Sequence, residues 1–271
     1  MKYNTIVVDY DGTLLRSDWT IADSTIEVIN RLREKGGTFM VSTGRAVGAI
    51  LPILQKLGLT GEVACCQGSV VCDIETGTIK YCDGYPVEKA AELCKRLEDD
   101  GLTILYFTNG DPIANKSTYY LEYYNKHAGT DTPCLNGSIY EYIRKNGGVM
   151  NKICTLQSPE ETNRLYEKYR GTIPGIAVNI SEPYILEFAD VRFNKGTSLD
   201  QIRKTLPDPN SKIISMGDSL IDIPLLQAAD LGVAVGNARQ EVKDVADLIT
   251  VTNDDNAVEY IIRNYMLGEK E

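Results

Sequence analysis

The sequence predicts an α/β protein: a doubly wound parallel sheet of the Rossmann-like kind, interrupted by an inserted α+β segment. Three observations carry that reading. The first 80 or so residues alternate short apolar runs with helical stretches, and the last third resumes the same alternation. Between them the character changes, and residues 83–190 hold 11 of the 16 tyrosines. Strand, helix, strand in succession implies right-handed crossovers and parallel pairing with helices on both faces. The boundaries fall at 1–82 and 191–271 for the core, with 83–190 as the insertion.

Each element has its own signal. Thr5-Ile6-Val7-Val8 is a β-branched apolar run, the composition of a buried parallel strand. Ser24-Thr25-Ile26-Glu27 has the form of a capping box. Ile26, Ile29 and Leu32 follow at helical spacing, and Gly36-Gly37 stops the helix. Thr38 to Ser42 reads as the second strand, 46–56 as a helix, and Val63 to Cys66 as the third strand. In the insertion, helical signals cover 87–99, and strands fall at 102–107, 149–155, 176–180 and 184–188. Ser158-Pro159-Glu160-Glu161 starts a further helix, with Ser as cap and Pro at the first helical position. The final third gives a helix over 197–206, a strand over 212–216, a helix over 219–228, a strand over 232–235 and a last helix over 256–265.

Composition removes several function classes. The chain has 271 residues, with 28 Lys+Arg against 38 Asp+Glu and a net charge of −10, which argues against nucleic acid as a partner. No run approaches the roughly 18 apolar residues of a membrane span, and the N-terminus lacks a secretory cleavage pattern; the expected location is the cytoplasm. Seven cysteines without a Cys-x-x-Cys pair suit neither zinc nor a disulfide framework and read as reduced, mostly buried thiols. The single His127 excludes a zinc site built on several histidines of one chain, and it reads as structural or surface. Acid–base chemistry is therefore expected to run on carboxylates.

In open parallel sheets ligands sit beyond the carboxyl ends of the strands. The first strand ends in Asp9-Tyr10-Asp11-Gly12-Thr13. A turn accounts for Asp11-Gly12 but leaves Asp9 as a charge at a half-buried strand end. The second ends in Ser42-Thr43-Gly44-Arg45, a hydroxyl and a glycine at the entry to a helix, which is either an anion site or an ordinary cap. Lys195 opens a helix against its dipole, a placement explained by a nearby anion or by solvation. Asp218 and Asp222 lie four apart at a strand-to-helix junction, where capping needs only one of them. Gathered together, these carboxylates repel one another unless a cation binds, and oxygen ligands with room for water suit Mg²⁺.

Asp9-Tyr10-Asp11-Gly12-Thr13-Leu14, Ser42-Thr43-Gly44-Arg45, Lys195-Gly196 and Gly217-Asp218-x-x-x-Asp222 resemble, in order, the four motifs of the haloacid dehalogenase superfamily of phosphatases. Gly232 to Ala238 resembles the stretch after the fourth motif in its Cof-type branch, and the insertion is similar to that branch's large α/β cap. The resemblance implies a Mg²⁺-dependent phosphatase acting on small phosphorylated metabolites, sugar phosphates foremost. Asp9 is then the nucleophile that forms an aspartyl-phosphate, and Asp11 the general acid and base. Lys195 offsets charge on nucleophile and phosphate. Thr43 and the backbone around Tyr10, Asp11, Gly12 and Gly44 bind the phosphoryl oxygens. Mg²⁺ is held by Asp9, the Asp11 carbonyl and Asp218, with Asp222 in or just behind that set. The cap supplies specificity.

Two positions depart from the family pattern. Ile221 stands where an Asn usually contacts phosphate, with Ser219 or Asn237 as candidate substitutes, and Gln67-Gly68-Ser69 stands where Asn-Gly-Ala is common. A phosphomutase on the same core, and a non-catalytic phosphate or sugar-phosphate sensor, remain the alternatives. Tyr119, Tyr120, Tyr123 and Tyr124 read as core plus a wet rim.

Overall fold

A computed structural model describes residues 2–269 except 207 and 209. It forms two compact units, one comprising the chain up to Arg45, Leu51–Lys80 and the chain from Asn194, the other Ala46–Ile50 and Tyr81–Phe193. β1 (Thr5–Asp9) is buried at every position, so both faces of its pleat are covered. α1 (Asp23–Glu34) buries Thr25, Val28, Ile29 and Leu32 and leads into β2 (Thr38–Ser42). The capping box expected at Ser24 does not form. The helix begins at Asp23 with Ala22 at the N-cap, so Ser24 lies inside the first turn, where its Oγ donates to the Glu259 carboxylate at 2.6 Å.

α2 (Val47–Lys56) and β3 (Glu62–Cys65) follow. Cys66, expected inside that strand, lies in a tight turn with Gln67 and Gly68, all three at positive φ. The turn reverses the chain into β4 (Val70–Asp73), antiparallel to β3, and β5 (Ile79–Cys82) lies at the sheet edge.

The second unit holds α3 (Val87–Asp99), β6 (Thr103–Thr108), β7 (Asp111–Ala114), α4 (Tyr119–Ala128), α5 (Ile139–Asn146), β8 (Lys152–Leu156), α6 (Pro159–Tyr169), β9 (Ile176–Glu182) and β10 (Ile185–Asp190). Its strands form an antiparallel sheet in the order β7-β6-β8-β10-β9. Alternate residues, Ile104 and Tyr106, then Leu186 and Phe188, face Leu93, Leu97, Ile139, Ile143, Leu165 and Tyr169 of α3, α5 and α6 in one apolar core. Ser158 caps α6 as expected, accepting from Glu161 N–H. The tyrosine group does not form core: α4 buries only Leu121, and Tyr119, Tyr123 and His127 line up along its exposed side.

The first unit resumes with α7 (Lys195–Thr205), β11 (Ile213–Gly217), a 3₁₀ turn over Leu220–Asp222, α8 (Ile223–Ala228), β12 (Leu231–Ala234), α9 (Gln240–Lys243), β13 (Leu248–Ile249) and α10 (Ala257–Ile261), which continues in π-type turns to Leu267. Its sheet runs β13-β12-β11-β1-β2-β3-β4-β5, parallel from β13 through β3. The fold is therefore the doubly wound α/β class, with an antiparallel extension at one edge that the reading of the first strands did not include. From β1 the chain builds outward one way through β2 and β3 and the other way through β11 to β13, so the order reverses between β1 and β11. That reversal is where such sheets open a crevice at their carboxyl ends. All seven cysteines are free thiols, five of them buried. No described helix is long and apolar enough to cross a membrane.

Candidate active site

Register brings the strand ends together. Val8 pairs with Met216 and with Val41, and Asp9 with Ser42, so Asp9, Thr43 and Asp218 all emerge at the β1/β11 switch. Lys195 is the first residue of α7, whose N-terminus is closed by Asn194 and Thr197 in a reciprocal capping box. Its side chain is buried. Nζ donates to Asp9 Oδ1 at 2.5 Å and to Asp222 Oδ1 at 2.6 Å. The cation that opposes the helix dipole is thus compensated by two carboxylates, the second of the alternatives left open for it being excluded.

Burial raises the Asp9 pKa well above the ordinary carboxylate value; Lys195 opposes this, while Asp222 and Asp218 add to it. Burial and Asp222 also push Asp218 up, against a hydrogen bond from Thr13 Oγ1 to Asp218 Oδ1 at 3.0 Å. Burial alone lowers the Lys195 pKa, but Asp9 and Asp222 together raise it above the usual lysine value. Asp222 also caps: its Oδ2 accepts from Asp218 N–H at 3.2 Å, Ser219 N–H at 2.9 Å and Ser219 Oγ at 2.8 Å. Both of its oxygens are thereby engaged.

Carboxylate oxygens of Asp9, Asp218 and Asp222 lie within 4.8 Å of one another. Three carboxylates face one ammonium, and the donor set is oxygen only, which fits a hard divalent cation. Gly12 makes room for this cluster. It sits at φ +79°, and a Cβ there would stand 2.8 Å from Asp218 Oδ2. Its carbonyl accepts from Asn237 Nδ2 at 2.8 Å, Asn237 Oδ1 accepts from Asn253 N–H at 3.0 Å, and Asn253 Nδ2 donates to Leu15 O at 2.9 Å. This relay pins both ends of the loop after β1.

Asp11 stands apart from that cluster. Its carboxylate is held by Arg45, which donates from Nε to Oδ2 at 2.9 Å and from Nη2 to Oδ1 at 2.7 Å. Thr43 is buried, and its Oγ1 accepts from Arg45 N–H at 3.2 Å. The Tyr10 ring is buried, so what it offers the strand ends is backbone. Ile221 is half exposed, and the two residues considered as its substitutes are occupied: Ser219 with Asp222, Asn237 with Gly12 and Asn253. Arg45 stands in the second motif with no role assigned from the sequence, and the contacts of Thr13, Asn237 and Asn253 carry no local sequence signal. Only the short Thr-Gly-Arg spacing after a strand signalled the first of these.

A family model described as haloacid dehalogenase-like hydrolase matches residues 6–262. Phosphatase YwpJ of Bacillus subtilis is 25% identical over 285 residues, spanning 96% of this chain and 99% of that protein. Pyridoxal phosphate phosphatase YbhA of Escherichia coli is 26% identical over 273 residues, spanning 98% and 100%. The 5-amino-6-(5-phospho-D-ribitylamino)uracil phosphatase YcsE of Bacillus subtilis is 26% identical over 262 residues, spanning 97% and 95%. Among solved structures, a haloacid dehalogenase-like hydrolase from Bacteroides thetaiotaomicron superimposes with a TM-score of 0.83 at 25% identity, covering 97% of this chain and 99% of that one.

Proposed function

The chain belongs to the haloacid dehalogenase-like hydrolases and is a phosphatase, and from that premise we propose that it hydrolyses small phosphate monoesters, sugar phosphates foremost, through an aspartyl-phosphate on Asp9 with magnesium as cofactor. The observation that carries the reading is the buried Asp9 at the end of β1, gripped by Lys195 through one oxygen at 2.5 Å and flanked by Asp218 and Asp222. Relatives named for pyridoxal phosphate and for a phosphorylated ribitylaminouracil support small phosphorylated metabolites as the class.

In the proposed first step an Asp9 carboxylate oxygen attacks phosphorus, and the bond to the leaving oxygen breaks. Asp11 gives its proton to that oxygen, so the product departs as a neutral alcohol. In the second step water attacks the same phosphorus, Asp11 takes up its proton, and the bond to Asp9 breaks to release inorganic phosphate. Lys195 fixes Asp9 in place for both steps. Thr43 Oγ and the backbone around Tyr10, Gly12 and Gly44 hold the phosphoryl oxygens. Asp9, the Asp11 carbonyl and Asp218 would hold the magnesium ion, with Asp222 behind them because both its oxygens are taken. When bound, such an ion neutralises charge on the phosphoryl group. The 83–190 insertion serves as the cap that confers specificity.

Phosphate release tests this, on sugar phosphates, nucleotides and p-nitrophenyl phosphate, with Mg²⁺ and with EDTA. Release that requires Mg²⁺ and disappears in Asp9→Asn is expected. Turnover surviving in Asp9→Asn would overturn the reading.

A further inference from the structure

The structure assigns Arg45 a role as the positioning residue for Asp11, with the Tyr10 ring as its support. The inference rests on the reading of Asp11 as general acid and base. Asp11 lies in extended backbone between Asp9 and Gly12, at φ −80° and ψ 117°, and its side chain is 47% exposed. A half-exposed carboxylate on a loop samples several rotamers, whereas proton transfer needs one orientation. Arg45 removes that freedom by meeting both carboxylate oxygens at once, at 2.9 and 2.7 Å, in the two-pronged geometry that only a guanidinium supplies.

Arg45 is itself held at three points. Its guanidinium lies 5.0 Å from the centroid of the Tyr10 ring, which is 2% exposed. Its N–H donates to Thr43 Oγ1 at 3.2 Å, and its carbonyl accepts from Cys66 N–H at 3.0 Å. Asp11 is thereby tied to the end of β2, which carries Thr43, and to the turn after β3. An exposed ion pair alone is worth about 0–1 kcal/mol, so stability gives little reason for so constrained a pair on the loop that follows Asp9. Orientation of Asp11 gives one.

Leaving-group dependence tests the assignment. p-Nitrophenolate departs with little help from a proton, whereas an alkyl alkoxide needs one. Kinetics of wild type, Arg45→Lys, Arg45→Ala, Tyr10→Leu and Asp11→Asn are compared on p-nitrophenyl phosphate and on the best alkyl phosphate of the wild-type panel. For Arg45→Lys, kcat/KM, which reports the steps up to departure of the alcohol and not the later hydrolysis that Asp11 also serves, is expected to fall about tenfold or more on the alkyl ester but less than about threefold on p-nitrophenyl phosphate. Asp11→Asn shows the same split more strongly, and Tyr10→Leu more weakly. Circular dichroism identifies any variant that fails to fold, and Arg45→Lys, which keeps the charge, carries the test if Arg45→Ala does so. Equal loss of kcat/KM on both esters would place Arg45 on the phosphate and overturn the assignment; so would an unchanged or increased kcat/KM on the alkyl ester. Failure of the underlying reading looks different, because it leaves Asp9→Asn active.

Discussion

Replacing Lys195 by Met keeps most of the length of the side chain and removes its charge. In the native site Nζ lies 2.5 Å from Asp9 Oδ1 and 2.6 Å from Asp222 Oδ1, with the side chains of Lys195, Asp9 and Asp222 exposed by only 2%, 5% and 0%. Removing one partner of a buried ion pair costs about 3–5 kcal/mol, because the remaining charge is left without compensation. Here one ammonium serves two carboxylates, so Lys195→Met in the absence of divalent cations is expected to cost about 4 kcal/mol. Asp222→Asn leaves Lys195 its bond to Asp9 and is expected to cost less. In the double variant most of the second loss has already occurred, so its cost falls short of the sum of the two single costs by at least about 1 kcal/mol.

Hydrogen exchange of the β1 and β11 amides in EDTA is the suitable assay. Those strands sit at the centre of the first unit's sheet, so their exchange reports the opening of that unit. A whole-chain denaturation curve mixes the two units and blurs the number. A cost below about 1 kcal/mol for Lys195→Met, or single costs that add within about 0.5 kcal/mol, would refute the argument that one buried ammonium compensates both carboxylates.

Gly12→Ala forces an L side chain to φ +79° and puts a Cβ 2.8 Å from Asp218 Oδ2. It is expected to cost about 1–2 kcal/mol and to shrink the Mg²⁺-dependent rise in melting temperature; an undiminished rise would show that Asp218 is free to retreat. In the second unit, hydrogen bonds from Lys168 and from Tyr169 Oη, the latter at 2.7 Å, hold Asp100 below the usual carboxylate range. A pKa depressed by folding stabilises above the unfolded value of about 3.9 and loses that contribution as pH falls through the folded value. Asp100→Asn is therefore less stable than wild type at neutral pH, and the gap, read from hydrogen exchange of the α3 and α6 amides, closes on acidification. A gap unchanged below about pH 3 would contradict this.

What the sequence made legible was whatever its local patterns encode. β-Branched runs marked β1, β2 and β11 to within a residue, and Ser158 with Pro159 marked the start of α6. The strand-end rule singled out Asp9, Lys195, Asp218 and Asp222, which the fold gathers into one cluster. What it missed depended on partners far along the chain. Ser24 forms no capping box because α1 already starts at Asp23, and its hydroxyl donates to Glu259, 235 positions away. The β3–β4 reversal runs through Cys66 and Gln67 at positive φ, a conformation that neither residue type advertises. Of the core and wet rim that four tyrosines at helical spacing predict, the structure shows the rim, with Tyr119 and Tyr123 exposed, while Leu121 is the one buried residue of α4. The Arg45 fork spans 34 positions and exists only because β1 and β2 are paired in register.

The same distinction explains how the site is built. Asp9 and Lys195 are 186 positions apart, and the inserted unit lies between them in the chain but contributes to neither side of their ion pair. The first segment supplies Asp9, Thr13 and Arg45, and the last supplies Lys195, Asp218, Asp222 and Asn237. Each is incomplete alone. The loop after β1 is held at Gly12 by Asn237 and at Leu15 by Asn253, while Lys195 is compensated only when β1 and β11 lie side by side. The buried charges thus become tolerable only once the central strand pair has formed, which makes the cluster a consequence of the completed sheet rather than a nucleus for it. Placing the insertion between β5 and α7, outside this pairing, leaves its sequence free to vary without disturbing the register on which the carboxylates depend.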